Sequence, residues 1–136
     1  SIHGHTAKAA KVMQKMLEDR GQKVEIFDLA RDDMAEAIEC AYRYDKLVIA
    51  TVTYDAGVFP VVEDFVYHLK LKNYQKRTVG IIQNGSWGPV AGKKVKESLE
   101  TLKDIKIVDP MVTIRSALKE GNLTAMEALA DALVAK

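Results

Sequence analysis

Apolar positions along the chain switch between two periods, and neither period holds for long. In residues 6–20, Ala9, Met13, Met16 and Leu17 share one helical face, and Gly21 follows where such a helix stops. Residues 24–27 predict a short strand. Asp33, with Glu36 three residues later, predicts an acid-capped helix start, and Met34, Ala37, Ile38 and Ala41 continue it as an apolar stripe. In residues 46–51 the unbroken run Leu47, Val48, Ile49, Ala50 has the pattern of an interior parallel strand covered on both faces. A helix is expected from about Pro60, whose fixed φ suits a first turn, with Val61, Phe65 and Leu69 facing inward. Residues 78–83 repeat the buried-strand pattern through Val79, Ile81 and Ile82, and a glycine-rich stretch over 84–92 follows. The next helix carries Val95, Leu99 and Leu102. Residues 105–114 form the last strand, and Pro110 inside it, lacking an N–H, places it at a sheet edge. Thr124 and Glu127 predict a capping box for a final helix that buries Met126, Leu129, Ala130 and Leu133. Strands alternating with helices in this way define an α/β protein on a parallel sheet.

Length adds that the whole series is one domain, residues 1–136, with no room for a second. With 48% hydrophobic and 29% charged residues the chain is neither disordered nor fibrous. No apolar run approaches the roughly 20 residues that span a bilayer, and no signal-peptide pattern opens the chain, so a cytoplasmic protein is expected. The single Cys40 forms neither an internal disulfide nor a cysteine zinc site and reads as a small packed hydrophobe on a helix. The balance of 20 basic and 19 acidic residues gives no sign of nucleic acid or an anionic membrane as a partner, and neither is expected.

The chain opens on Ser1-Ile2-His3-Gly4-His5-Thr6 and goes directly into a helix, without the strand that should feed such a loop. We expect the chain to begin late: in a doubly wound sheet of order 2-1-3-4-5 the missing element is the first, interior strand. Ligands of such sheets bind beyond the carboxyl ends of the strands, so three loops hold the candidate chemistry. The first mixes hydroxyls with a glycine before a helix, so backbone amides and side-chain hydroxyls converge on one anion, or simply cap the helix. It has no Lys, which removes a Walker loop, and too few glycines for a dinucleotide turn. The second, residues 51–60, places Tyr54 and Gly57 at the rim. The third, residues 84–92, carries Trp87 among three glycines, which let backbone approach a ligand while an aromatic face stacks on it. The set outlines a site for a phosphorylated flat heterocycle.

SIHGHT resembles the phosphate loop of flavodoxins, and VTYDAGVFP and NGSWGPVAG resemble the two ring-binding loops in the flavodoxin-like domain of A-type flavoproteins, the flavodiiron family. The likeness runs from Ser1 to about Leu133. It implies a flavodoxin-like doubly wound parallel sheet with helices on both faces and FMN as cofactor. By the same resemblance Ser1, His3, Gly4, His5 and Thr6 would hold the FMN phosphate, Thr53, Tyr54, Asp55 and Gly57 would line the isoalloxazine, and Asn84, Gly85, Ser86, Trp87 and Gly88 would close its other side. His5, Val52 and Asp55 depart from the family's usual Asn, Pro and Asn, which bears on redox potential rather than on the cofactor's identity.

Flavodiiron proteins carry an upstream domain that holds two irons and reduces oxygen or nitric oxide. This chain has three histidines, His3, His5 and His68, and no HxExxH or HxExD pattern, so it offers no metal site of its own. His68 and the cluster Lys93, Lys94 and Lys96 read as solvated helix faces, with an acidic electron donor as the sharper reading of the lysines. The expected function is therefore an FMN-binding electron-transfer domain, with no catalytic residue of its own, relaying electrons from a reduced donor to a tethered diiron domain or other redox partner. A homodimer is compatible with the same reading. The alternatives are a free short-chain flavodoxin, whose usual acidity the balanced charge does not match, and a cofactor-free binding or phospho-receiver module. A receiver needs a phosphoryl-accepting Asp after the third strand and a Lys after the last, where this chain has Ala50-Thr51 and Ile114-Arg115-Ser116.

Overall fold

The computed structural model describes residues 5–54, 57–58, 60–85, 90–115 and 119–135, with the side chains of 5–6, 52–54 and 57–58 left out of the description. Its elements in chain order are α1 (His5–Asp19), α2 (Met34–Arg43), β1 (Lys46–Tyr54), β2 (Gly57–Val58), α3 (Pro60–Leu71), β3 (Arg77–Asn84), α4 (Ala91–Leu99), β4 (Ile105–Ile107), β5 (Val112–Ile114) and α5 (Glu120–Val134). β1 pairs in parallel with β3 from Lys46↔Thr78 to Val52↔Asn84, and β3 pairs in parallel with both β4 and β5. This is the expected α/β fold, and the ladder β1-β3-β4/β5 is the 3-4-5 part of the expected order.

Two apolar clusters cover the two faces. On one, Ala37, Ile38 and Ala41 of α2, Val62, Phe65, Val66 and Leu69 of α3, and Val95 and Leu99 of α4 close over Ile49, Val79 and Ile81. On the other, Ala9, Met13, Met16 and Leu17 of α1 meet Met126, Leu129, Ala130 and Leu133 of α5 over Ile82, Val112 and Ile114. Consecutive side chains of a strand point to opposite faces, which is why Ile81 and Ile82 divide between the clusters. Both faces being covered is the physical reason that these strands read as unbroken apolar runs.

Helix ends follow local chemistry where the residue lies at the end itself. α1 closes on Gly21 at φ 82°, with the Gln22 amide donating to the Leu17 carbonyl and the Gly21 amide to the Glu18 carbonyl, a Schellman turn that needs a glycine. Asp33 caps α2 by accepting the Ala35 amide at 3.0 Å. Arg20, just past α1, bonds Glu127 and Asp131 of α5 at 2.7 and 2.8 Å and so locks the two helices of that face together.

Five expectations are corrected. Residues 22–28 form no ladder, although a strand was expected over 24–27. Alternating polarity reports which faces are covered, and a strand also needs a neighbouring backbone to pair with. Val24 packs on the α1/α5 cluster and Phe27 on the other, while among the described residues no strand lies alongside them. β1 runs past the expected Thr51 to Tyr54 and folds back antiparallel through Thr53↔Val58 and Tyr54↔Gly57, so Thr53, Tyr54 and Gly57 sit in a hairpin where a loop was expected. The last strand is split: Pro110, after a cis peptide bond, interrupts it between β4 and β5, and both pieces lie on the far side of β3 from β1, the edge position expected. α4 ends at Leu99, and Leu102 packs on the core from the turn that follows. The capping pair of α5 is not Thr124 and Glu127. The helix begins a turn earlier at Glu120, because the Asn122 carboxamide accepts the Lys119 amide at 3.0 Å and donates to the Thr113 carbonyl at 3.1 Å. That second bond comes from the sheet, and a window of sequence does not contain it.

Candidate functional site: the carboxyl rim of the sheet

Parallel strands place all their carboxyl ends at one edge, and the helices that follow them start there. At this rim the last rungs of the ladder are Thr51↔Gln83↔Thr113 and Val52↔Asn84↔Ile114. The first of these is a polar row across three strands on the face under α4. Thr51 is 2% exposed and Gln83 7%, and the Gln83 amide donates to the Thr113 hydroxyl at 2.9 Å. In the second row Asn84 is buried as well. Burying polar side chains at the end of an apolar strand is costly unless each is hydrogen-bonded, so the row marks a place where the core gives way to a polar surface.

Above that edge the backbone supplies the walls. The β1–β2 hairpin lifts Thr53 and Tyr54 beyond the last rung shared with β3. On the other side, the Gly85 amide donates to the Ile114 carbonyl at 3.0 Å and turns the chain off β3 towards α4. The opening turn of α1 contains His5 and Thr6 and carries no acidic residue, and neither does that of α4. Helix starts without a carboxylate leave the positive end of the backbone dipole available to an anion.

Of the residues expected to bind, the structure therefore brings the backbones of His5 and Thr6 (α1), Thr53 and Tyr54 (β1) and Gly57 (β2), together with Asn84 and Gly85, to the start of a helix or the ends of neighbouring strands. Ser1, His3, Gly4, Asp55, Ser86, Trp87 and Gly88 lie outside the described residues. Sequence reasoning missed Thr51, Gln83, Thr113 and Gly92. For Thr51 and Gln83 the signal was the polar residue that ends an apolar run, which the strand pattern alone treats as a boundary; Thr113 and Gly92 carry no such signal.

Shifted titrations lie elsewhere. Cys40 is buried on α2 and donates to the Glu25 carboxylate at 3.2 Å; burial and that bond push its thiol up to about 11, so it stays a protonated packing residue. The same bond, with one from Tyr44, holds Glu25 below the usual carboxylate range. At the amino end of the strands, burial raises the phenols of Tyr42 and Tyr74. His68 bonds the Asp64 carbonyl one turn back on α3 and is partly exposed. Lys93 and Lys94 are exposed on α4, Lys96 partly so. Among the described residues no three His, Cys, Asp or Glu side chains gather as metal ligands, and no helix is long and apolar enough to cross a membrane.

A doubly wound sheet with a hairpin, a glycine turn and an acid-free helix start at its carboxyl rim defines a flavodoxin-like protein. The flavodoxin family profile matches residues 1–128, and the chain belongs to that family. Similar solved structures include rubredoxin oxygen:oxidoreductase from Desulfovibrio gigas, 16% identical with a TM-score of 0.86 over 96% of this chain and 32% of that one. Flavodoxin 1 from Bacillus cereus is 14% identical, with a TM-score of 0.84 over 98% and 92% of the two chains. The flavodiiron protein from Giardia intestinalis is 15% identical, with a TM-score of 0.82 over 95% and 32%. This chain thus spans about a third of the two larger proteins and nearly all of the flavodoxin. Among curated protein sequences no relative matches.

Family membership makes the chain a flavodoxin-like electron carrier domain whose cofactor is FMN. The rim fits that group: acid-free helix amides suit a phosphate, and buried Thr51 and Asn84 beside a hairpin wall suit the polar edge of a ring.

Proposed function

We propose that residues 1–136 act as one flavin-bearing relay domain of a flavodiiron-type oxygen or nitric oxide reductase. In this reading Ser1, His3, Gly4, His5 and Thr6 hold the FMN phosphate through backbone amides and hydroxyls. Thr53, Tyr54, Asp55 and Gly57 line one side of the isoalloxazine, and Asn84, Gly85, Ser86, Trp87 and Gly88 line the other. Bound FMN supplies reversible electron uptake and release. The chain's own residues orient the ring, keep water from part of it and fix the charge around it. The electrons pass to a diiron domain of the same polypeptide or to a separate redox protein, and a cytoplasmic location belongs to the same reading.

The observation that supports the site is the meeting of the β1–β2 hairpin with the end of β3: Val52↔Asn84 is the last shared rung, and Thr53 and Tyr54 continue β1 beyond it to pair with Val58 and Gly57. The flavodiiron assignment rests on the likeness of the TYDAGVFP sequence to the family's ring loop and on the similarity to two longer proteins, one of them a flavodiiron protein. A free flavodoxin is the second reading, supported by the similarity to the Bacillus cereus flavodoxin.

Protein purified from its source decides both. A yellow protein that releases FMN on denaturation supports the flavin site, and a colourless one that takes up no FMN rejects it. Iron bound in fixed ratio to flavin, in a polypeptide whose mass far exceeds one domain, supports the tethered relay. An iron-free, FMN-bearing chain of single-domain mass overturns it and leaves the free carrier.

A further inference from the structure

Residues 23–27 have the side-chain order of a strand without the hydrogen bonds of one. Val24 packs on the α1/α5 cluster and Phe27 on the opposite cluster, while Glu25, two residues before Phe27, accepts the Cys40 thiol of α2 on that second side. Even and odd positions therefore point to opposite faces, the period of a strand. Ile26, on the Val24 side, is left 43% exposed. Among the described residues no backbone amide or carbonyl from Lys23 to Phe27 has a hydrogen-bonding partner. Apolar side chains pack the segment into the sheet layer, and its backbone polar groups go unanswered there.

β1 has a matching edge. The Asp45 carbonyl accepts the Thr78 amide of β3, and the N–H and C=O groups of successive residues in a strand point to alternate sides. Odd positions of β1 thus bond β3, and the amides and carbonyls of Val48 and Ala50 point away from it. Before the hairpin at Thr53 and Tyr54, β3 is the only strand that pairs with β1 among the described residues. Leu47, Val48 and Ala50 stay half-buried, whereas Val79, Gly80 and Ile82, their partners in β3, are buried.

α1 joins the two edges. It belongs to the apolar cluster on which Val24, Val48 and Ala50 pack, it starts at the carboxyl rim, and its glycine stop delivers the chain into residues 23–27. A helix that leads from the carboxyl rim into an extended segment is the second half of a β-α-β unit, whose first strand runs parallel to the second.

We infer that a strand of about five apolar residues, supplied by the polypeptide ahead of residue 1, pairs in parallel with β1 on one side and with residues 23–27 on the other. Its side chains alternate between the two apolar clusters, so both of its faces are covered and its sequence is an unbroken apolar run. Residues 23–27 become the edge strand of the sheet, and the exposed charges of Lys23 and Glu25 suit an edge. The new strand ends at the rim where α1 begins, so the same polypeptide supplies it. A second copy would first have to strip a strand from its own sheet.

Residue-resolved hydrogen exchange on the full polypeptide from its source tests the pairing. The Val48 and Ala50 amides, alternate amides of residues 23–27 and a run of apolar residues ahead of residue 1 should exchange at least about a hundredfold more slowly than in unfolded peptides of the same sequence. That protection should be the same at every protein concentration. Fast exchange at Val48, at Ala50 and throughout 23–27, in a protein whose β3 amides are slow, would overturn the inference. Protection that appears only as copies associate assigns the edges to a second copy and rejects the proposed source. Slow amides at both edges with no protected residues ahead of residue 1 reject it as well. None of these outcomes depends on a bound flavin.

Discussion

At the amino end of the sheet Arg77, the first residue of β3, sends its guanidinium to three carbonyls: Nε to Tyr44 at 2.9 Å, Nη1 to Gln75 at 2.6 Å and Nη2 to Tyr42 at 2.9 Å. The rings of Tyr74 and Tyr42 lie 5.2 and 5.9 Å from its central carbon, and they meet each other edge to face at 5.3 Å. At the carboxyl end, six residues later on the same strand, Gln83 makes its bonds to α4 and β5 with an uncharged amide, and the loops beside it are rich in glycine. The foot of β3 is closed by a cation whose fork spends itself on protein carbonyls, a role that Lys, with a single point charge, would not fill. The rim uses short side chains and backbone, which leaves surface at which a ligand can approach. One strand thus carries a structural end and a binding end, and substitutions at the two should separate stability from flavin affinity.

The largest effect belongs to the foot. Arg77→Met should cost about 3 kcal/mol in urea unfolding, because three carbonyls lose a charged donor together, while the folded fraction binds FMN as before; loss of affinity in that fraction would erase the contrast. Next comes the phosphate side of the rim. Thr6→Val should weaken FMN by about 2 kcal/mol, a factor of about thirty, through loss of a hydroxyl donor to a charged group, and leave riboflavin nearly unaffected. Equal losses for the two ligands would move the phosphate away from α1. On the ring side, Trp87→Ala should cost FMN and riboflavin alike about 1 kcal/mol of stacking in the same titration. Asp55→Asn removes a negative charge from beside the ring and should raise the reduction potential; a potential unchanged or lowered in a redox titration places Asp55 elsewhere.

The smallest effect lies outside the strand, at the Glu25–Cys40 contact of α2. The Cys40 thiol is raised to about 11, so its share of stability is complete below the ordinary thiol range and is lost as pH climbs through that value. Glu25 is lowered, so its share is present above the ordinary carboxylate range and is lost as pH falls through the lowered value. Cys40→Ala should flatten the melting temperature against pH at both extremes and change no flavin constant. A wild-type curve already flat between about pH 9 and pH 11 would contradict the thiol's assignment.

Periodicity and end chemistry were enough for the α/β class, the five helices with their buried faces, the two long parallel strands, the glycine stop of α1 and the Asp33 cap, because each depends on residues within a turn or two of one another. The glycine-rich and hydroxyl-rich loops were legible as candidate chemistry for a related reason: their composition suits an anion and a ring wherever the chain places them. What the tertiary structure alone decided was every feature that needs a partner from far along the chain. The pattern over 24–27 is that of a strand, yet a ladder needs a neighbouring backbone. α5 begins at Glu120, before the Thr124 signal, because the Thr113 carbonyl accepts a bond from Asn122. Gln83 looks like the end of an apolar run until Gly92, Thr113 and Met111, distant in sequence, close around its amide. A local window contains the propensity of a residue and not the hydrogen-bonding partners that folding brings to it, so the elements were readable one by one and the rim that joins them was not.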